Sequence, residues 1–303
     1  MRFNNRRKQI VKGINQWLHV LPFIGISLVL MGMFVFYPLC RNIQISFSDF
    51  NIIENSVTCY VGGKNYLSMF QDSKWLIAFR NTLLYTLVTV PGQMALGLIL
   101  ACLINTVTRG KTFFKVVTYL PVITSWVVVS LIFKYLFMSG KGGLVNFLLM
   151  ETGLIHVPVA WLQNEWSANF VLWLFGIWKG IGWVMIIYLA ALQGVPTQIY
   201  EAASIDGAGK ITTFLYMTIP MVKNTTLYLL TVLMIGAFGA YIHVMMITEG
   251  APLGKTNELM NYMYDTAFAR YNYGYSAAQA VVMGMMILIL TFLQRKVQKE
   301  DIN

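Results

Sequence analysis

The stretch "YEAASIDGAGKITTFLYMTIP", Tyr200 to Pro220, separates two long apolar runs and resembles neither. It sets Glu201 and Asp206 among alanine, serine and glycine, and it closes on Pro220. Ala202, Ala203 and Ser204 make a slim helix, and Gly207 suits the left-handed position that stops one. Glu201, read as lying near the helix start, complements the positive end of the helix dipole. A merely solvated connector would tolerate all of these residues without needing any. The runs on either side therefore have to be read first.

The chain is 57% hydrophobic and only 11% charged, with a mean hydropathy of +0.62. A soluble domain carries about a quarter charged residues, so this chain cannot cover a water-facing surface. It reads as an integral membrane protein that lies in a lipid bilayer. A helix needs about 20 apolar residues to cross a bilayer core, and six stretches qualify. They run over residues 18–40, 82–104, 116–138, 168–192, 225–248 and 276–293. The expected class is all-α with six transmembrane helices. The expected division is a basic tail over 1–17, a six-helix body over 18–293 with a connector over 194–222, and a tail over 294–303. The first run is too long for a signal-peptide core and lacks a small-x-small cleavage site after it, so it is expected to stay as an anchor. Pro22, Pro91, Pro121, Gly180 and Gly182 fall inside spans, either for close packing or to line a cavity.

The net charge is +10, which on a soluble protein would raise nucleic acid as a partner. Here the basic residues flank apolar segments, so topology accounts for them and no nucleic acid is implied. Thirteen Lys and Arg fall in the two tails and in the second-to-third and fourth-to-fifth connections. Seven (Arg41, Lys64, Lys74, Arg80, Lys141, Lys255 and Arg270) fall on the opposite side, and Lys134 and Lys179 lie in spans. The positive-inside rule then puts both termini and the Glu201 connector in the cytoplasm. Most acids, Glu258 among them, fall in outer loops, and the first outer loop, 41–80, is long enough to fold. Trp17, Tyr37, Trp75, Tyr119 and Trp166 at span ends read as an interfacial belt. Cys40 and Cys59 are able to pair if both face outward; Cys102 reads as a small apolar residue.

Several chemistries find no support. There is no GxxxxGK[ST] phosphate loop, no HExxH zinc spacing and no GxSxG elbow. No carboxylate falls in an expected span, which argues against a proton-coupled secondary carrier. A multi-span membrane enzyme would need acids or histidines clustered at an interface, and His19, His156 and His243 are far apart.

The opening stretch closely resembles the cytoplasmic signature of the permeases of bacterial ABC importers. That signature is E-A-A, three residues, G, nine residues, then I-x-L-P. Glu201, Ala202, Ala203, Gly207 and Pro220 match outright, while Met217 and Ile219 are conservative departures. "LPVITSWVVVSLIFKYLF", "IWKGIGWVMIIYLAALQGVP", "ITEGAP" and "YDTAFARYNYGYSAAQAVV" are similar to the carbohydrate-uptake branch, first-permease type, so the resemblance spans nearly the whole chain. The extra N-terminal helices and large outer insertion of the maltose subunit are missing.

The resemblance implies the type I importer permease fold in a bacterial cytoplasmic (inner) membrane. It implies a heterodimer with a second homologous permease, two ATPase subunits and an extracytoplasmic solute-binding protein. The chain itself binds no cofactor and catalyses nothing; ATP and Mg are used by the partner ATPase. Glu201, Ala202, Ala203, Asp206, Gly207 and Pro220 would form the helix that docks on that ATPase. The cargo would be a sugar, oligosaccharides first, with a glycerol-phosphate or polyol as the alternative. The family's sugar-contact positions fall on Val122, Trp126, Gly176, Lys179, Gly180, Trp183, Leu233 and Ala237. Trp126 and Trp183 would stack on a ring, Gly176, Gly180 and Ala237 would make room, and Lys179 would donate hydrogen bonds to hydroxyls or a carboxylate. Packing or lipid anchoring is the plainer role for each tryptophan. Gly176 and Ala237 replace polar contacts of the maltose subunit, which argues against a maltose-like pose. Tyr241 and His243 are further polar candidates on the fifth span.

Overall fold

The computed structural model describes residues 24–51 and 56–300. The basic tail over 1–17 with its Trp17, the first residues of the first span (18–23, with His19 and Pro22), Glu54 and residues 301–303 lie outside the described residues. Among the described residues, four helices are long and apolar enough to cross a membrane: α1 (Ile24–Ser46), α3 (Ser73–Thr106), α7 (Glu165–Gln193) and α12 (Tyr273–Glu300). Two further spans are possible if each of two bent helix pairs counts as one. Shorter helices are α2 (Lys64–Gln71), α6 (Leu144–Glu151), α8 (Thr197–Ile205) and α11 (Leu259–Phe268).

The third expected span is not one rod. α4 (Lys111–Ile123) and α5 (Trp126–Leu136) meet at 94°. Pro121 cannot donate a backbone hydrogen bond, and Thr124 and Ser125 are extended, with ψ of 144° and 134°. The chain bends just before the expected fifth span, 225–248, and the helix stops within it. α9 (Lys210–Met221) bends by 68° at Val222 into α10 (Lys223–Phe238). α10 then stops on Gly239, and helix resumes only over 242–248, ending in a π turn at Val244–Thr248. Apolar composition alone could not reveal the breaks at Thr124–Ser125 and Gly239–Ala240, because the residues there are small and lie within apolar runs.

The first connection does fold. It forms a two-stranded antiparallel hairpin, β1 (Ser48–Asn51) with β2 (Ser56–Tyr60), pairing Ser48 with Tyr60 and Asn51 with Ser56, so the fold is not purely helical. At this hairpin end, Asp72 caps α3 by accepting from Lys74 N at 2.9 Å and also accepts from the Tyr262 and Tyr275 hydroxyls at 2.6 and 2.9 Å. Burial opposes ionisation of Asp72, but these hydrogen bonds outweigh it and hold the carboxyl below its ordinary value. Glu165 pairs with Arg80 and, at 3.5 Å, with Lys255. Trp75, expected in the interfacial belt, is buried and stacks on Phe79, because α3 starts at Ser73 rather than near Thr82 and turns that face inward. Cys40, Cys59 and Cys102 are all free thiols.

The core is the α3–α7 seam. A Cβ on Gly97 would come within 2.6 Å of Val184 Cγ1, and one on Gly92 within 2.7 Å of Ile177 Cδ1. These glycines let the two backbones approach closely, as small residues do in membrane bundles. Gly182 does the same toward α4, facing the backbone of Thr118 and Tyr119. α1 stands apart: its apolar window has no buried residue, and it meets α12 along Tyr37–Ser46.

Candidate functional site: a cavity between helices and an exposed handle

A cavity of about 300 Å³ opens between α3, the α4–α5 break, α7 and α10. Val122 and Trp126 reach it from the two sides of the break, and Gly176, Lys179, Gly180 and Trp183 from one face of α7. Leu233 and Ala237 reach it from α10. All eight positions expected along the path thus surround one space. The α7 residues fall at steps of three and four, the spacing that puts side chains on one helix face.

Tyr241 and His243 are not part of it. Tyr241 stacks on Tyr264, 5.8 Å between ring centres. His243 is fully buried between the Tyr85 and Phe175 rings, and its Nε2 lies 3.2 Å from Glu258 Oε1. α10 ends at Phe238, and although Ala240 still borders the cavity, the chain beyond it turns the Tyr241 and His243 side chains elsewhere. Glu258, expected in a solvated loop, is only 2% exposed beside that histidine.

Lys179 does not stand free for a ligand. Its ammonium donates to the Pro121, Val122 and Thr124 carbonyls, the last two at 3.2 and 2.7 Å, and lies 5.2 Å from the centre of the Trp126 ring. An ammonium has three protons, so all are taken. Those carbonyls are among the ones orphaned where α4 stops, so Lys179 caps the break and holds Trp126 beside it. The glycines make room for protein rather than for a ligand. A Cβ on Gly176 would strike the Tyr85 hydroxyl, and one on Gly180 the Gln93 amide. Gln93 Nε2 in turn donates to Gly176 O at 3.0 Å.

The sequence reading missed Tyr85, Thr89 and Gln93, which form the α3 wall. The signal was present: they are polar residues at steps of four inside an otherwise apolar span, hence on one face. Thr89 Oγ1 bonds its own helix at Tyr85 O, 2.7 Å. Tyr85 Oη and Gln93 Oε1 have no hydrogen-bond partner among the described residues.

The second feature lies at the other end of the bundle. Val195 and Pro196 lead from α7 into α8, which opens at Thr197, so Glu201 sits in the second turn and not near the start. The expected dipole interaction therefore lapses, since it fades beyond the first turn. Asp206 is the C-cap, and Gly207 follows at φ +76°. Gly207 N donates to Ser204 O at 3.2 Å and Ala208 N to Ala203 O at 2.9 Å. These two bonds are the Schellman closure. Ala203 faces inward, while Glu201, Ala202 and Ser204 are exposed and Ile205 is 86% exposed. Pro220 opens the last turn of α9 in an exposed position. Glu201 makes no ion pair with a described residue.

Residues 93–300 match the family described as "Binding-protein-dependent transport system inner membrane component". A probable ABC transporter permease protein of Bacillus subtilis is 31% identical, over 91% of this chain and 95% of its own. The lactose transport system permease protein of Rhizobium radiobacter is 32% identical, over 93% of each chain. Among solved structures, a bacterial ABC transporter involved in the import of the acidic polysaccharide alginate has a chain that aligns with a TM-score of 0.82. That alignment covers 96% of this chain and 99% of the other at 20% identity, a likeness of fold.

Proposed function

Because this chain belongs to the family of binding-protein-dependent transport system inner membrane components, we propose that it forms half of the path of an ATP-driven saccharide importer. It is a transport subunit and not an enzyme. The second half would come from a homologous permease, energy from two ATPase subunits that use ATP and Mg, and cargo from a solute-binding protein outside. The six apolar stretches support six crossings of the bacterial cytoplasmic membrane, and the positive-inside count supports both termini and α8 lying inside. α8 is the part an ATPase cleft would grip: slim, exposed, stopped sharply at Gly207, and carrying an unpaired Glu201 for a basic partner.

The observation that carries the reading is the convergence of Val122, Trp126, Trp183, Leu233 and Ala237, from separate elements, on one aromatic-walled cavity. Aromatic faces suit the C–H faces of a sugar, and transporter sites usually lie between helices near the midplane. Relatives named for lactose, arabinooligosaccharides and multiple sugars support that class. The test is ATP-driven accumulation of labelled saccharides in proteoliposomes holding the complete importer. Accumulation should require ATP and the co-purified ATPase. Accumulation on an ion gradient without an ATPase would refute the assignment in favour of a secondary carrier.

A further inference from the structure

Resting on that reading, we infer that this chain's side of the path is built for an uncharged saccharide, and offers no charged site to a uronate or to a sugar or glycerol phosphate. The cavity is lined by fifteen residues, and Lys179 is the one charged side chain among them. It is 2% exposed, and its three protons are held by the Pro121, Val122 and Thr124 carbonyls, with the Trp126 ring against the ammonium. An anion in the cavity would have to leave water for apolar and aromatic walls. It would need at least one charge-assisted donor to offset that loss. To provide one, Lys179 would have to release a carbonyl at the α4–α5 break and leave it buried without a partner.

What the cavity does offer is neutral. Tyr85 Oη can donate or accept, and Gln93 Oε1 can accept, and both lack a hydrogen-bond partner among the described residues. Trp126 and Trp183 supply flat apolar faces. Hydroxyls against amide and phenol, with C–H faces against indole, are the needs of a neutral sugar. Lys179 is thus a positioning residue: it fixes the break and, through it, Trp126. The inference separates this chain from the acidic cargo named for the aligned structure and from the glycerol-phosphate alternative.

The experiment uses the complete importer in lipid nanodiscs, without the solute-binding protein, so that selection upstream plays no part. Tryptophan fluorescence is recorded against a neutral disaccharide panel (lactose, melibiose, arabinobiose, maltose). Acidic counterparts (lactobionate, diuronates, sn-glycerol 3-phosphate) are run beside them. A neutral sugar should quench the signal, with the response reduced in W183F, and its acidic counterparts should bind about 100-fold more weakly or less. Equal binding of an acidic counterpart would overturn the inference, the more so if K179M removed the acid's binding alone while K179R restored it. ATP-driven uptake of an acidic saccharide as the main cargo would also overturn it, as would uptake of a neutral sugar with no quenching by that sugar. If the importer accumulates no saccharide of either kind, the functional assignment itself fails, a result the uptake assay reads separately.

Discussion

Gly207→Ala is the sharpest test of the handle. Gly207 sits at φ +76°, and its N–H and that of Ala208 close α8 through Ser204 O and Ala203 O. Nothing lies within 4 Å of where a Cβ would be. The cost is therefore purely one of backbone conformation, about 1–2 kcal/mol for an alanine held in the left-handed region. That is a factor of roughly 5–30 in the ratio of correctly stopped to otherwise arranged helix. Asparagine tolerates this region far better than alanine, so G207N should recover most of the loss. The assay compares ATP-driven uptake with ATP hydrolysis in proteoliposomes at matched incorporation. G207A should lose uptake by up to that factor, with hydrolysis less affected, and G207N should sit near the parent protein. If G207A transports normally, or if G207N is as impaired as G207A, the left-handed stop is not what matters at this position.

Two further outcomes follow from packing and charge. Gly182→Ala would push a methyl into the Thr118 carbonyl and toward Tyr119 Cα, backbone that cannot swing aside. Overpacking of this kind costs about 1–3 kcal/mol. The purified protein should unfold at lower temperature, whereas G236A, in open space on α10, should not shift the midpoint in that direction by a comparable amount. For pH, the Asp72 carboxyl is held below its ordinary value. Its contribution is complete above the unfolded carboxyl pKa and is lost as pH falls through the lower folded value. Tyr262, pushed up to about 12 by burial first and then by Asp72, contributes below its ordinary pKa and loses that contribution as pH rises toward the folded value. A scan of thermal midpoint against pH should show D72N flattening the acid limb; an unchanged acid limb would remove Asp72 from the account.

Much of this was legible in the residues. The Glu201 stretch could be read as a helix stopped by Gly207 because both signals are local: small residues, then a glycine where only a left-handed residue fits. The cavity positions came from the family resemblance and not from periodicity; spacing alone would have grouped only Gly176, Lys179, Gly180 and Trp183, because α7 is an unbroken helix from Glu165 to Gln193. What failed was whatever depended on a break. The 94° turn after Ile123 and the stop at Phe238 leave no mark on hydropathy. Tyr241 and His243 were therefore carried onto a face that had already ended. The capping role of Lys179 was hidden for the same reason. Without the break there are no orphaned carbonyls for it to cap, and a buried lysine with nothing to do looks functional. Glu201 was misplaced by one turn because Pro196, which starts α8, lies beyond the stretch that drew attention.

The two features are mechanically one. The α8–α9 segment joins the bundle at two points, Gly194 at the end of α7 and Val222 at the start of α10, and α7 and α10 are opposing walls of the cavity. Just inside those joints the walls are locked together. Tyr188 Oη donates to Thr226 Oγ1 at 3.1 Å, and Leu189, Leu192, Val222 and Leu229 share a buried cluster. With an ATPase docked on α8 as proposed, a displacement of α8 would therefore be passed through these contacts into both walls. Trp183 lies ten residues above Gln193, about 15 Å along the helix at 1.5 Å per residue. A small tilt at the root thus becomes a larger shift at the ring. The α4–α5 break is where the wall facing them is interrupted, and Lys179, on α7, is tied to it by three hydrogen bonds. Motion of α7 consequently carries the break and Trp126 with it, so that the groups proposed to hold the sugar move as a set when the handle moves.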